Sequence, residues 1–265
     1  DRSQCPGSGG SRVQPSQDVK GTVEFDHVAR ISGGRRECYH RHFLQGRKGE
    51  TVAIIGSTGS GKSTLINLIP RFYDATEGSV KVDGVDVRKM TQKDVRDRIG
   101  YVPQKGVLFS GTIDSNIRYG KPEITDAQVK EAAEVAQATE FIDTKPEKYE
   151  SPVSQGGTNV SGGQKQRLSI ARAIAKDPEI FIFDDSFSAL DFKTDSQLRK
   201  ALKEYTKDAT TVIVAQRIST ILGADQIIVL DDGHMAGIGT HKELMANCEV
   251  YQQIARSQLS EEELA

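Results

Sequence analysis

A strand that runs straight into a glycine turn and out into a helix leaves a chain few folds to choose from. Thr51 to Ile69, "TVAIIGSTGSGKSTLINLI", reads that way. Val52 to Ile55 make an apolar run fit for a short buried strand, and Leu65 to Ile69 begin a helix by their apolar spacing. Between them Gly56, Ser57, Thr58, Gly59, Ser60, Gly61, Lys62 and Ser63 fit the pattern G-x-x-x-x-G-K-[ST] at every position. The glycines let the backbone turn so that successive N–H groups converge on phosphate oxygens. The helix N-terminus adds a partial positive charge, and Lys62 places a full one by the β and γ phosphates. Ser63 offers a hydroxyl to Mg²⁺ and Thr64 supports the α-phosphate. The competing reading is a glycine-rich turn that binds nothing. The strand before it and the helix after it weigh against that.

The expected fold is therefore α/β, a P-loop nucleoside triphosphatase core with a mostly parallel sheet. A second glycine turn narrows the choice. "NVSGGQKQRLSIARAIAKDPEIFIFDD" gives Ser161, Gly162, Gly163 and Gln164, then a helix with Leu168, Ile170, Ala171 and Ile174 inward, ended by Asp177-Pro178. An apolar strand, Ile180 to Phe183, and two adjacent carboxylates follow. With these motifs in this order, residues 21 to 260 resemble the nucleotide-binding domain of an ATP-binding cassette (ABC) transporter. The signature of that family is normally L-S-G-G-Q, and here Val160 stands in the leucine's place. Gln104, in "IGYVPQKGVLFSGTIDSNIRYG", falls at the family's Q-loop and Asp191, in "SALD", at its D-loop.

The resemblance implies ATP and Mg²⁺ as ligands, with Ser63, Gln104 and Asp184 around the metal. It also implies two domains joined head to tail, each nucleotide held between one P-loop and the other domain's Ser161–Gln164 turn and D-loop. An antiparallel subdomain from the N-terminal strands should flank the core, and residues of about 105–175 should form a helical subdomain. One helix there is expected over Thr125 to Phe141, with Thr125 as N-cap. The stretch from Gly106 to Gly120 resembles exporters, with Val107, Leu108 and Phe109 apolar enough to receive a membrane domain. "SPVSQGGTNVSGGQ" resembles the exporter X-loop, with Gln155 where an acid is usual. The partners implied are the transmembrane domains of an exporter, in the same full-length chain, and a second ABC domain. The place implied is the cytoplasmic face of the cell membrane.

Two positions depart from a working hydrolytic site. After Asp184, the family normally has a glutamate that polarises the attacking water, and this chain has Asp185. A general base must come within about 3 Å of the proton it takes, and a shortfall of about 1 Å costs on the order of a hundredfold. In "TTVIVAQRISTI" the family's γ-phosphate histidine is replaced by Gln216, which hydrogen-bonds but carries no charge. Both changes fall on the site built on this chain's own P-loop. The expectation is tight Mg-ATP binding with slow turnover, as in the degenerate half of a heterodimeric exporter whose second ABC domain is non-identical. The alternatives are a homodimeric half with a working site, or a soluble ABC protein of DNA repair or the ribosome. Against the latter, the chain has neither heptad runs nor an internal repeat.

The remaining sequence sets outer bounds. A net charge of −2 over 265 residues gives no broad attraction to nucleic acid or anionic membrane. No apolar run approaches the roughly 20 residues of a membrane helix, and no leader peptide is readable at the N-terminus. Cys5, Cys38 and Cys248 are scattered and odd in number, which fits a reducing compartment. Residues 1–20 are rich in Gly, Ser and Pro and read as a flexible linker or cloning remnant, and the absence of a starting methionine reads as a piece of something longer. The domain proper is then 21–265.

One window breaks the family pattern. "ARISGGRRECYHRHFLQGRKGE" lacks strand alternation and the aromatic that would stack on adenine, whose place falls near Ile31, and Tyr39 lies too close to Lys62. Codons exist for Arg30 to Gly46 that, read one base later, give "GYRAAAGSAITDISFRA", supplying both the aromatic and the strand. Residues 30–46 are thus either a shifted reading frame or a divergent basic loop. An unbroken frame in independent clones would leave only the loop, and with it weaker adenine stacking and a poorly ordered or rebuilt early sheet. A metal site of His27, His40 and His42 is disfavoured, because no further ligand set supports it.

Overall fold

The structure, a computed structural model, describes residues 20–32, 35–38 and 44–260, and side chains outside 27–43. In chain order its strands and helices begin with β1 (Val23–Ser32), β2 (Arg35–Cys38), β3 (Leu44–Gly46), β4 (Thr51–Gly56), α1 (Lys62–Ile66), β5 (Glu77–Val82), β6 (Val85–Asp86) and α2 (Gln92–Asp97). Next come β7 (Ile99–Val102), β8 (Gly111–Thr112), α3 (Ile113–Ile117), α4 (Asp126–Val135), α5 (Thr139–Asp143), β9 (Pro152–Val153), α6 (Gly162–Ala175), β10 (Ile180–Asp184) and α7 (Phe192–Tyr205). The chain closes with β11 (Thr210–Val214), β12 (Gln226–Asp231), β13 (His234–Gly239), α8 (His241–Asn247) and α9 (Glu249–Gln258). The described residues divide into two compact units, those within 1–99 together with those within 210–265, and residues 100–209.

The first unit holds an antiparallel sheet in the order β2-β1-β5-β6, with β3 also on β1. Val23 and Phe25 alternate inward and are buried, with Phe25 opposite Leu44 and Val80 and Val23 opposite Val82. The register of β1 against β5 shifts between Asp26 and Ala29. Beyond it β1 pairs with β2, Ala29 with Cys38 through Ser32 with Arg35. The sequence lacks strand alternation there, yet the backbone is extended. Antiparallel pairing needs only main-chain donors and acceptors. The shifted-frame reading, the adenine aromatic and the three-histidine site otherwise fall outside the described side chains. Among the described residues no group of three or more His, Cys, Asp or Glu is arranged to hold a metal.

The same unit holds β12-β4-β11 as parallel neighbours, with β13 antiparallel on β12. Val52 to Ile55 and Ile227 to Leu230 are all buried, the continuous apolar pattern of strands covered on both faces. The β12–β13 turn places Asp232 and Gly233 at φ 44° and 78°, the tight hairpin that Asp-Gly favours. α8 and α9 cover one side of this core through Leu244, Tyr251 and Ala255, packed with Ala53, Ile55, Ile227 and Val229.

In the second unit β7 lies beside β10, and α3 and α4 pack on α6. α6 buries Leu168, Ile170, Ala171 and Ile174, as its sequence indicates. Thr125 caps α4 through Gln128, but the helix stops at Val135 instead of running to Phe141. Gln137 adopts φ 58°, its N–H reaching Glu134 O at 3.0 Å and that of Ala138 reaching Ala133 O at 2.8 Å. That pair of bonds is a Schellman ending, and α5 starts afresh at Thr139. The helix after the first glycine turn is also shorter than its apolar spacing indicates. It is α-helical only to Ile66, after which Leu68 and Ile69 bond three residues back. Pro70 disfavours helical geometry at the residue before it.

Candidate functional site

The glycine turn of the first unit spans β4 and α1. Gly59 and Gly61 take φ 81° and 96°, which side chains with a Cβ rarely adopt. A Cβ on Gly56 would lie 2.1 Å from Leu230 O, so only glycine lets the loop leave β4 against β12. Lys62 Nζ donates to Gly56 O at 2.7 Å and to Ser57 O at 2.8 Å, and its ammonium thereby spans the loop. Ser57, Thr58, Gly59 and Ser63 are exposed, and Thr64 is half-buried. Ser60 turns inward: its N–H donates to Ser57 O at 3.1 Å and its hydroxyl is buried without a hydrogen-bond partner. The β12–β13 hairpin props the loop from behind, Gly233 N–H donating to Ser60 O at 3.2 Å.

Gln216 is exposed where β11 ends, and Ala215 N–H before it donates to Ile54 O of β4 at 3.1 Å. It therefore leaves the parallel strands at the end where the glycine turn leaves them. Gln258 of α9 fixes this turn, donating from Nε2 to Gln216 O and accepting from Ile218 N–H, both at 2.8 Å. Sequence reading missed Gln258. It is one of three glutamines on the last helix, and nothing in the sequence sets it apart from Gln252 and Gln253.

The second unit brings the two carboxylates and the Q-loop together. Asp184 ends β10, and Asp185 turns out of the strand at φ 47° while only 9% exposed. Gln104 Nε2 donates to Asp185 Oδ2 at 3.1 Å. Tyr101 OH donates to Asp184 Oδ2 at 3.4 Å, and Ser186 Oγ to Val102 O at 2.7 Å. Three consecutive residues of the acidic turn are thus each tied to the strand and loop of 101–104. Burial, then the neighbouring Asp184 charge, push the Tyr101 phenol well above its ordinary range, so it remains a donor. Tyr101 went unnoticed because a tyrosine in a strand reads as core.

Ser161 caps α6, its Oγ accepting from Gln164 N–H at 3.1 Å while Gln164 Oε1 accepts from Ser161 N–H at 3.2 Å. Ser161 and Gly162 are exposed. A Cβ on Gly163 would come within 3.6 Å of Ala189 O and 3.9 Å of Leu190, so the signature turn lies against the "SALD" segment. Asp191 caps α7, accepting from Thr194 Oγ1 at 2.7 Å and Thr194 N–H at 2.9 Å. These bonds hold its carboxyl below the usual range.

Val107 and Phe109 are 50% and 40% exposed, but Leu108 between them is 1% exposed and belongs to the core, so it cannot meet a partner as expected. Phe109 stacks on the exposed Tyr119 with ring centroids 4.2 Å apart. The guanidinium of Arg172 lies 5.2 Å and 5.5 Å from the two rings. It donates to Val107 O and Asn116 O at 2.8 Å and to Asn116 Oδ1 at 2.9 Å.

Residues 40–188 match the profile of the ABC transporter family. A Staphylococcus aureus protein named as a multidrug export ATP-binding/permease protein is 44% identical over 246 residues, 92% of this chain and 43% of its own length. An uncharacterized ABC transporter ATP-binding protein of Mycobacterium bovis is 50% identical over 218 residues, 81% of this chain and 37% of its own. The solved structure of a bacterial Atm1-family ABC exporter with ATP bound superimposes with a TM-score of 0.86 at 36% identity, covering 98% of this chain and 45% of that one. The chain spans less than half the length of these relatives. No helix among the described residues is long and apolar enough to cross a membrane.

Proposed function

Because the chain belongs to the ABC transporter family, we propose that it powers a membrane exporter by binding Mg-ATP and closing head to tail on a second cassette. Its own P-loop holds the nucleotide longer than it splits it. Gly56 to Thr64 supply the phosphate cradle, and Ser63, Gln104 and Asp184 supply the hard oxygen donors that Mg²⁺ prefers. The metal, when bound, neutralises charge on the β and γ phosphates. The Ser161–Gln164 turn, exposed at Ser161 and Gly162, and the exposed Asp191 complete the nucleotide site of the other cassette. The transmembrane domains of the same full-length chain are the load, and the exposed Val107–Phe109–Tyr119 face suits their docking.

The observation that carries the slow-turnover part is the placement of Asp185. Its short carboxylate is drawn to Gln104 Nε2 at 3.1 Å, and the residue at position 216 is a neutral amide. At about 3 kcal/mol for each lost electrostatic contact, two losses leave little activity. A non-identical partner carrying glutamate and histidine at the matching positions then does most of the hydrolysis. The same hydrogen bond favours a second reading, a homodimer with a working site, since it shows that the shorter acid still reaches the Q-loop. Loading the purified chain with radiolabelled Mg-ATP, then quenching and separating products over time, discriminates. Recovery of intact triphosphate over many minutes is expected. Conversion to ADP at the pace of a cassette with glutamate and histidine would overturn the proposal in favour of the homodimer.

A further inference from the structure

Gln104 sits on an exposed loop, yet its amide is aimed at Asp185. One buried side chain accounts for this. Gln166, in the second turn of α6, is 1% exposed. Its Nε2 donates to Pro103 O at 3.0 Å, and its Oε1 accepts from Gly106 N–H at 2.7 Å. The two contacts bracket Gln104. Both ends of a single primary amide are used, its NH₂ as donor and its carbonyl oxygen as acceptor, without a charge being buried. Gly106 lies directly on the helix, for a Cβ there would come 2.8 Å from Lys165 O and 2.8 Å from Ser169 Oγ. Farther along, Arg172 donates to Val107 O at 2.8 Å. Residues 103–107 therefore ride on α6, the helix whose first residues form the Ser161–Gln164 turn.

We infer that Gln166 is a positioning residue: it clamps the Q-loop to the signature helix and so sets where the Gln104 amide meets Asp185. Any displacement of α6 carries Gln104 with it, which links the turn offered to the other cassette with the metal side of this chain's own nucleotide site. The clamp stands on the geometry alone. Its effect on metal binding rests on the function proposed above.

Three variants test it: Gln166→Met, which keeps volume and removes both bonds, Gln104→Ala, and the two combined. Amide hydrogen exchange reads the clamp directly. Exchange at Gly106 should be about tenfold faster in Gln166→Met and unchanged in Gln104→Ala. Mn²⁺ affinity in the presence of ATP, followed by paramagnetic relaxation of water, reads the consequence. It should weaken about tenfold in Gln166→Met, as for loss of an outer partner of a metal ligand, while metal-free ATP affinity stays within about twofold. The combined variant should be no worse than Gln104→Ala. Unchanged exchange at Gly106, or penalties that multiply to about a hundredfold in the combined variant, would overturn the inference. If the native chain took up no Mn²⁺ with ATP, the proposed function would fail, and the exchange result would still decide the clamp. Should Gln166→Met not fold, Gly106→Ala pushes the loop off α6, against Lys165 O and Ser169 Oγ, and should give the same selective loss of Mn²⁺.

Discussion

Replacing Asp185 by glutamate sets the chemistry of the site against its backbone. The longer acid adds one C–C bond, about 1.5 Å of reach, where a shortfall of about 1 Å costs on the order of a hundredfold. Turnover at this P-loop should therefore rise about 10- to 100-fold. Stability should fall at the same time. Asp185 holds φ 47° while buried, and aspartate tolerates that region better than glutamate, a difference of about 0.5–1 kcal/mol. Fitting one more methylene into a closed slot adds about 1 kcal/mol, the low end for overpacking. Together these amount to about 1.5–2 kcal/mol, or roughly 3–8 °C in Tm. Single-turnover phosphate release at saturating Mg-ATP measures the first effect and scanning calorimetry the second. Adding Gln216→His should speed the reaction further, restoring a contact worth about 3 kcal/mol. If the double variant bound nucleotide normally yet released phosphate no faster than the native chain, the assignment of both positions would be wrong.

Two further outcomes follow from packing. Truncating Arg172 to alanine strips the donor from Asn116 O and from Val107 O and removes the cation from the Phe109–Tyr119 stack. The expected loss is about 2–4 kcal/mol by urea unfolding, and about 1–2 kcal/mol for Arg172→Lys, which cannot reproduce the fork. A loss below about 0.5 kcal/mol for alanine would refute the role. Burial pushes the Tyr251 phenol up to about 12. The folded state keeps that proton where the unfolded chain begins to lose it near pH 10. Stability from this group is thus whole below pH 10 and is lost as pH rises toward 12. Tyr251→Phe, which also removes the 2.7 Å bond to His241 Nδ1, should flatten that alkaline limb. An unchanged slope in denaturation between pH 10 and 12 would count against it.

Much of this fold is legible in the sequence because its signals are local. The strand, glycine turn and helix around Lys62, the capped helix after Ser161, and the Asp-Asp-Gly hairpin each carry their own instructions within a few residues. What sequence could not show is how side chains far apart in the chain hold those motifs in place. Gln166 reaches back 63 positions to Pro103 and 60 to Gly106, Tyr101 reaches forward to Asp184, and Gln258 returns to Gln216. Each is an ordinary residue on an ordinary element, and only the tertiary arrangement gives it a partner. The break after Val135 was missed for a different reason. Glutamine at 137 is an unusual left-handed helix ending, and the apolar spacing runs on past it as though the helix did too.

The identity of residue 185 satisfies two demands that pull the same way. The chain leaves β10 through a left-handed residue, because the carboxylates must turn out of the sheet within one position. Aspartate is among the few non-glycine residues at ease there. It is also the shorter acid, and its carboxylate accepts from Gln104 Nε2 at 3.1 Å. A change from glutamate to aspartate at this turn would thus relieve backbone strain while weakening the base. Reversal must regain activity against a loss of stability, a coupling common at strained functional positions. A site can settle into nucleotide holding by this route without any loss of the cradle or the metal ligand. Rate and melting temperature should then move in opposite directions between the two acids at 185. Glutamate should be the fastest and least stable of the acids, and asparagine should hold nucleotide without splitting it while matching aspartate in Tm.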